Sequence, residues 1–134
     1  MNKVALVVGG GQTLGAFLSE GLAKEGYDVV VADLNQESAV GTAKDIEGKY
    51  NVSTLGVKVD AANEDDVNKM MDAIKEKFGR VDLLVYSAGI ARSHKITNFP
   101  LADWNLSMAV NTTGYFLCAR EVSKLMIEKE IKGR

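Results

Sequence analysis

The sequence predicts an α/β chain built on a Rossmann-type, doubly wound parallel sheet. Three observations predict it. Short apolar runs alternate with stretches of helical period; the first run empties into a glycine loop where a helix begins; an aspartate closes the second run, roughly 20 residues past that loop.

Each element has its own reason. Val4-Ala5-Leu6-Val7-Val8 is an unbroken apolar run ending at Gly9-Gly10-Gly11, as suits a strand buried on both faces. Leu14, Phe17, Leu18 and Leu22 then recur at helical spacing and mark the apolar face of a first helix that stops at Gly26. Val29-Val30-Val31-Ala32 makes a second strand, ended by Asp33. Ala39, Val40, Ala43 and Ile46 mark a second helix before Gly48. Thr54 to Val59 alternates apolar and polar residues, the pattern of an edge strand with one wet face. Val67, Met70, Met71, Ile74 and Phe78 form the cleanest helical stripe, ending at Gly79 after a lysine-bearing last turn. The fourth strand is Leu83-Leu84-Val85-Tyr86, running toward Gly89. Such alternation implies parallel pairing through right-handed crossovers.

A last helix is predicted from Leu101 or Ala102 to about Lys129. From Met108 to Ala119 it is apolar or small on nearly all sides, including Tyr115, Phe116, Leu117 and Cys118. A helix with two buried faces needs two partners. Either one face lies on the sheet and the other on a second subunit or a further segment, or the helix sits deep in the core. A homo-oligomer formed through residues 102–129 is the expected assembly.

Composition narrows the function. The chain has 134 residues, 16 Lys and Arg against 18 Asp and Glu, and 46% hydrophobic residues. That is enough apolar material for one core and too little net charge for a disordered tail or a nucleic-acid arm. One cysteine closes no intrachain disulfide, and no Cys/His cluster has metal-ligand spacing, so a cytoplasmic protein without structural zinc is expected. The apolar N-terminal run is too short for a signal-peptide core or a membrane span. Pro100 is the sole proline, and no linker or repeat interrupts the chain, so residues 1–134 read as part of a single domain with no second one.

The chemistry concentrates in the first turn. Gly9-Gly10-Gly11-Gln12-Thr13-Leu14-Gly15 joins a strand to a helix start, where free N–H groups and the positive helix end suit a pyrophosphate. A tight turn without a ligand would use glycines too. Asp33 adds the second part: a carboxylate after strand two accepts hydrogen bonds from an adenosine ribose. It would repel a 2′-phosphate, and Leu34-Asn35-Gln36 offers no cation to neutralise one, so NAD is expected over NADP. A flavodoxin-like fold is less suitable, because it lacks this carboxylate.

The order of these motifs resembles the short-chain dehydrogenase/reductase family over the whole chain. The family's first turn reads Thr-Gly-x-x-x-Gly-x-Gly. Here Gly9 and Gly15 match its first and last glycines, while Val8 replaces the threonine and Thr13 the middle glycine. The resemblance implies an adenine contact by Asp60 and Ala61. It also places Tyr86-Ser87-Ala88-Gly89 where most members have Asn-Asn-Ala-Gly, with only Ala88 and Gly89 matching. Val110-Asn111-Thr112-Thr113-Gly114 is similar to the helix bearing the family's catalytic asparagine, which puts Asn111 in that role. The cofactor-binding set implied is Gly9, Gln12, Thr13, Leu14, Gly15, Asp33, Asp60, Ala61, Ser87, Ala88 and Gly89, around NAD, in an oxidoreductase acting on a sugar phosphate.

The family's tyrosine base, its partner lysine and its serine lie beyond the asparagine helix. Tyr27, Tyr50, Tyr86 and Tyr115 are followed four residues later by Val31, Thr54, Ile90 and Ala119, so no Tyr-x-x-x-Lys occurs in the sequence. Without a matched acid/base, hydride transfer stalls. The chain therefore reads as the cofactor-binding half of an enzyme, inactive by itself; the alternative is a non-catalytic NAD-binding or dimerisation module. Family order makes the sheet 3-2-1-4 and leaves the fourth strand with one unpaired side. Arg92, His94 and Lys95 read as an exposed basic loop, or as contacts for a substrate phosphate. Met70 and Met71 are explained by packing; Cys118 reads as a buried small hydrophobe rather than a reactive thiol, and Trp104 as a packing residue or an interface one.

Overall fold

The computed structural model describes residues 2–134. Four parallel strands form one sheet: β1 (Val4–Val8), β2 (Asp28–Asp33), β3 (Thr54–Lys58) and β4 (Leu83–Tyr86), in the order β3-β2-β1-β4. The helices between them are α1 (Thr13–Lys24), α2 (Gln36–Lys49) and α3 (Glu64–Lys77). After a 3-10 turn at Ile96–Asn98 come α4 (Leu101–Met108), a π-turn (Ala109–Thr113) and α5 (Gly114–Glu128).

The strand pleat sorts the core into two layers. Leu6, Val8, Val30 and Ala32 face α3 and α5, meeting Val67, Met70, Ile74, Leu117, Cys118 and Leu125. Val7, Val29 and Val31 point the other way, toward Ala23 of α1 and Ala39, Ala43 and Ile46 of α2. A central strand buried on both faces has no polar alternation to keep, which is why β1 and β2 read as continuous apolar runs. β3 lies at the sheet edge with most of its residues half-exposed. Cys118 is fully buried, and burial pushes its thiol up to about 11.

The predicted apolar face of α1 is corrected at Leu14 and Phe17. Leu14 and Phe17 are 63% and 76% exposed, and the buried residues are Gly15, Ser19 and Ala23. These three repeat at i, i+4 and i+8 and are small, so the helix lies close to β1 and the glycine loop, while Leu22 of the predicted face is half-buried and packs against the same layer of the core. Ser19 is satisfied there, its hydroxyl donating to the Gly15 carbonyl at 2.9 Å.

The last helical stretch is also different from the prediction. It is interrupted at 109–113, where the Gly114 N–H reaches back five residues to the Ala109 carbonyl. α4 buries none of its residues, whereas α5 buries Gly114, Leu117, Cys118, Val122 and Leu125 on the sheet. Leu101 and Trp104 of α4 and Tyr115 and Phe116 of α5 are exposed.

β4 ends the sheet with one side unpaired, as the sequence predicts, except at its first rung. After α5 the chain turns back, the Arg134 N–H donates to the Asp82 carbonyl at 3.0 Å, and the Leu84 N–H donates to the Arg134 carbonyl at 2.8 Å. That is the bonding of a parallel neighbour at Leu83, so Arg134 takes the first rung of a further ladder. Among the described residues, no helix is long and apolar enough to cross a membrane.

Candidate dinucleotide site

The carboxyl ends of the strands open onto a cleft of about 250 Å³. It lies where the strand order reverses, with β2 and β3 to one side of β1 and β4 to the other. Open α/β sheets bind ligands at that crevice.

The glycine loop forms its floor. Gly9 has φ +82°, and a Cβ there would lie 2.6 Å from the Ala88 nitrogen, so the loop after β4 can approach only a glycine. Two N–H groups, of Gly9 and Gly10, donate to the Ala32 carbonyl at 2.8 and 3.0 Å, and the Thr42 hydroxyl donates to the Gly11 carbonyl at 2.9 Å. The loop is thereby fixed before any ligand arrives.

Helix α1 starts differently from its neighbours. Asn35 and Asn63 cap α2 and α3, which carry Glu37, and Glu64, Asp65 and Asp66, in their first turns. α1 has no side-chain cap and no acidic residue in its first turn. Its first N–H groups and the positive end of its dipole are left for an anion.

Thr13 lies at this junction with φ +48°. A β-branched residue in the left-handed region is strained by about 1–2 kcal/mol, which gives a physical reason for glycine at this position in the family's turn. Thr13→Gly is expected to stabilise the chain by about 1 kcal/mol, since greater freedom in the unfolded chain offsets part of the relief. Urea unfolding checks this; an unchanged or lower midpoint would show that Thr13 is not strained.

Asp33 sits beside the loop. One carboxylate oxygen accepts the Gly11 N–H and the other the Asn35 N–H, both at 3.0 Å. Each oxygen keeps a second lone pair for a hydroxyl donor. Gln12 donates through Nε2 to the Ser38 hydroxyl at 2.7 Å. Asp60 lies across the cleft, its carboxylate accepting the Ala62 N–H at 3.0 Å. The residues lining the cleft include two carboxylates and no lysine or arginine.

Nine residues of the predicted cofactor set line this cleft: Gly9, Gln12, Thr13, Asp33, Asp60, Ala61, Ser87, Ala88 and Gly89. Leu14 is turned to solvent, and Gly15 is buried beneath the loop. Asn111 does not line the cleft; its side chain accepts the Ile90 N–H at 2.9 Å and donates to the Ile90 carbonyl at 2.8 Å. Leu34, Ile90 and Val110 complete the lining and were missed. Leu34 had one legible signal, an apolar residue directly after the Asp33 carboxylate. In the basic loop, Arg92, His94 and Lys95 are exposed. His94 meets the Asp103 carboxylate at 2.7 Å and stacks edge-on to Phe99, which holds it against α4.

This architecture is a Rossmann-like α/β fold, and the sequence gives its family. Residues 3–134 match the short chain dehydrogenase family, and the chain belongs to it. It is 53% identical to sorbitol-6-phosphate 2-dehydrogenase of Escherichia coli, over 100% of this chain and 52% of that protein. It is 36% identical to D-threitol dehydrogenase of Mycolicibacterium smegmatis, over 94% of this chain and 48% of that protein. The crystal structure of sorbitol-6-phosphate 2-dehydrogenase from Erwinia amylovora is similar with a TM-score of 0.94 and 56% identity, over 97% of this chain and 51% of that one. The chain thus spans about half the length of the relatives it matches.

Proposed function

We propose that this chain is the NAD-binding half of a dehydrogenase that interconverts sorbitol 6-phosphate and fructose 6-phosphate. The observation that carries the NAD reading is the convergence of Asp33, the glycine loop with the open start of α1, and the Ser87–Gly89 segment on one cleft. The donor set fits the cofactor part by part. Asp33 and Asp60 offer acceptors to an adenosine, the α1 N-terminus offers donors and positive potential to a pyrophosphate, and the loop after β4 lies at the nicotinamide end. When bound, NAD supplies the hydride acceptor.

The chain's own residues bind and orient. Asp33 selects against a 2′-phosphate through its charge, Gly9 lets the loop after β4 close on the glycine loop, Gly15 lets α1 rest on that loop, and Asn111 fixes the backbone at Ile90. The proton-transfer groups of the family are not among these residues. The sugar-phosphate substrate rests on the identity to the two sorbitol-6-phosphate dehydrogenases. A second copy packing on the helix around 102–129 is the assembly we favour, because Leu101, Trp104, Tyr115 and Phe116 are exposed there. The same exposed residues support the second reading, a non-catalytic dimerisation module that binds NAD. A reducing cytoplasm suits the free, buried Cys118.

Calorimetric titration tests the cofactor. Saturable NAD binding is expected, with NADP weaker by about tenfold or more, and Asp33→Ala should erase that preference. Absence of NAD heat, or an Asp33→Ala chain that still favours NAD, would sink the proposal.

A further inference from the structure

Tyr86 ends β4 where most family members carry asparagine, and its side chain does not line the cleft. Its hydroxyl instead donates to the carbonyl of Val110, inside the π-turn. The ring stacks edge-on to Tyr115 at 5.7 Å between centroids, and a Cβ on Gly114 would meet the hydroxyl, so Gly114 leaves the space that the phenol occupies. Burial foremost, then Cys118 and Asp60, pushes the phenol up to about 12, so the hydroxyl keeps its donor proton across the physiological range.

These contacts close a circuit. β4 continues into Ser87, Ala88 and Gly89, and then Ile90. Ile90 is gripped through both its N–H and its carbonyl by Asn111. Asn111 follows Val110 in the π-turn, and Val110 is tied back to β4 by Tyr86. The Asn111 grip needs the turn to be wide at this place, because a π-turn changes the direction of every side chain within it relative to an α-helix. A side chain bonded into the helix ladder is one of the few physical causes of such irregularity.

We infer that Tyr86 is a positioning residue: its hydroxyl, by holding the Val110 carbonyl, sets the π-turn so that Asn111 clamps Ile90 at the nicotinamide end of the cleft. The clamp itself is independent of the ligand; only its bearing on the nicotinamide end rests on the NAD reading. Tyr86→Phe keeps the ring and its contact with Tyr115 and removes only the donor. Tyr115→Phe removes a hydroxyl outside the circuit and serves as control.

The test is hydrogen exchange of the Ile90 amide, with the Asn111 side-chain amide followed by NMR. Tyr86→Phe is expected to speed Ile90 exchange about fivefold to tenfold and to shift the Asn111 signals, with Tyr115→Phe leaving both unchanged. Affinity for NAD should fall several-fold in Tyr86→Phe while affinity for ADP-ribose, which has no nicotinamide, holds. Unchanged Ile90 exchange and Asn111 signals in a folded Tyr86→Phe chain would overturn the inference. If that variant unfolds, the unmodified chain decides: a slowly exchanging Tyr86 hydroxyl proton close to Val110 is required, and a freely exchanging one refutes the bond. Failure of both NAD and ADP-ribose to bind counts against the cofactor reading instead, and the exchange comparison still judges Tyr86.

Discussion

Gly15→Ala is expected to destabilise the chain by about 3 kcal/mol or more and to abolish NAD binding. A Cβ at Gly15 would lie 1.8 Å from the Gly9 carbonyl oxygen and 3.0 Å from the Gly10 Cα. Both neighbours are backbone, so no side chain can swing away. Relief requires α1 to lift off the loop, and Ser19 and Ala23 leave the sheet with it. Overpacking in a close-packed interior costs about 1–3 kcal/mol where side chains can adjust, and more where they cannot. The lifted helix also carries its open N-terminus away from the cleft. Denaturant midpoints and NAD calorimetry measure the two effects, and an alanine variant that keeps wild-type stability would show that α1 does not rest on the loop.

Asp82→Ala should cost about 2–4 kcal/mol at neutral pH, and less in acid. Asp82 precedes β4 with its side chain 8% exposed. It accepts the Val4 N–H at 2.8 Å, tying the start of β1 to the start of β4, and is gripped by two nitrogens of Arg80. Burial pushes its carboxyl up, but the Arg80 hydrogen bonds, the Val4 amide and the charges of Arg80 and Lys3 together outweigh it, so the net direction is down. A carboxyl depressed by folding contributes stability above its unfolded value of about 3.9, and that contribution fades as pH falls through the lower folded value. The stability gap between the unmodified chain and Asp82→Ala should therefore be full at pH 7 and begin to close below about pH 4. Unfolding midpoints of both chains against pH provide the check; a gap that stays constant into strong acid would mean that Asp82 acts by packing and not by charge.

β1 and β2 were legible because a strand buried on both faces announces itself by composition, and β3 because an edge strand alternates. Val4 to Val8 and Val29 to Ala32 have no polar residue to confuse the period. The face of α1 was misread at Leu14 and Phe17 for the opposite reason. Its buried residues are glycine, serine and alanine, which carry little hydrophobic signal, while Leu14 and Phe17 stand in solvent and dominate it. Asp33 was legible through its distance from the loop, and most of the cleft follows once β1, β2 and β4 are laid side by side. The Asn111 grip on Ile90 was not, since it joins residues 21 apart in sequence through a turn that no local pattern marks. Arg134 on the β4 edge is likewise a pairing that only the path after α5 reveals.

The π-turn at 109–113 also has a meaning in terms of phase. A bond spanning five residues inserts one residue into a helix of 3.6 per turn, and one residue is about 100° of rotation. α4 and α5 follow each other along the chain but keep different angular clocks. Residues 114 to 119 are apolar or small in succession and so cover every side at any phase; it is burial that separates Leu117 and Cys118 from Tyr115 and Phe116. Counted separately, α5 has one buried stripe on the sheet and α4 has none, so the turn lets one continuous rod show the sheet one face and the outside another.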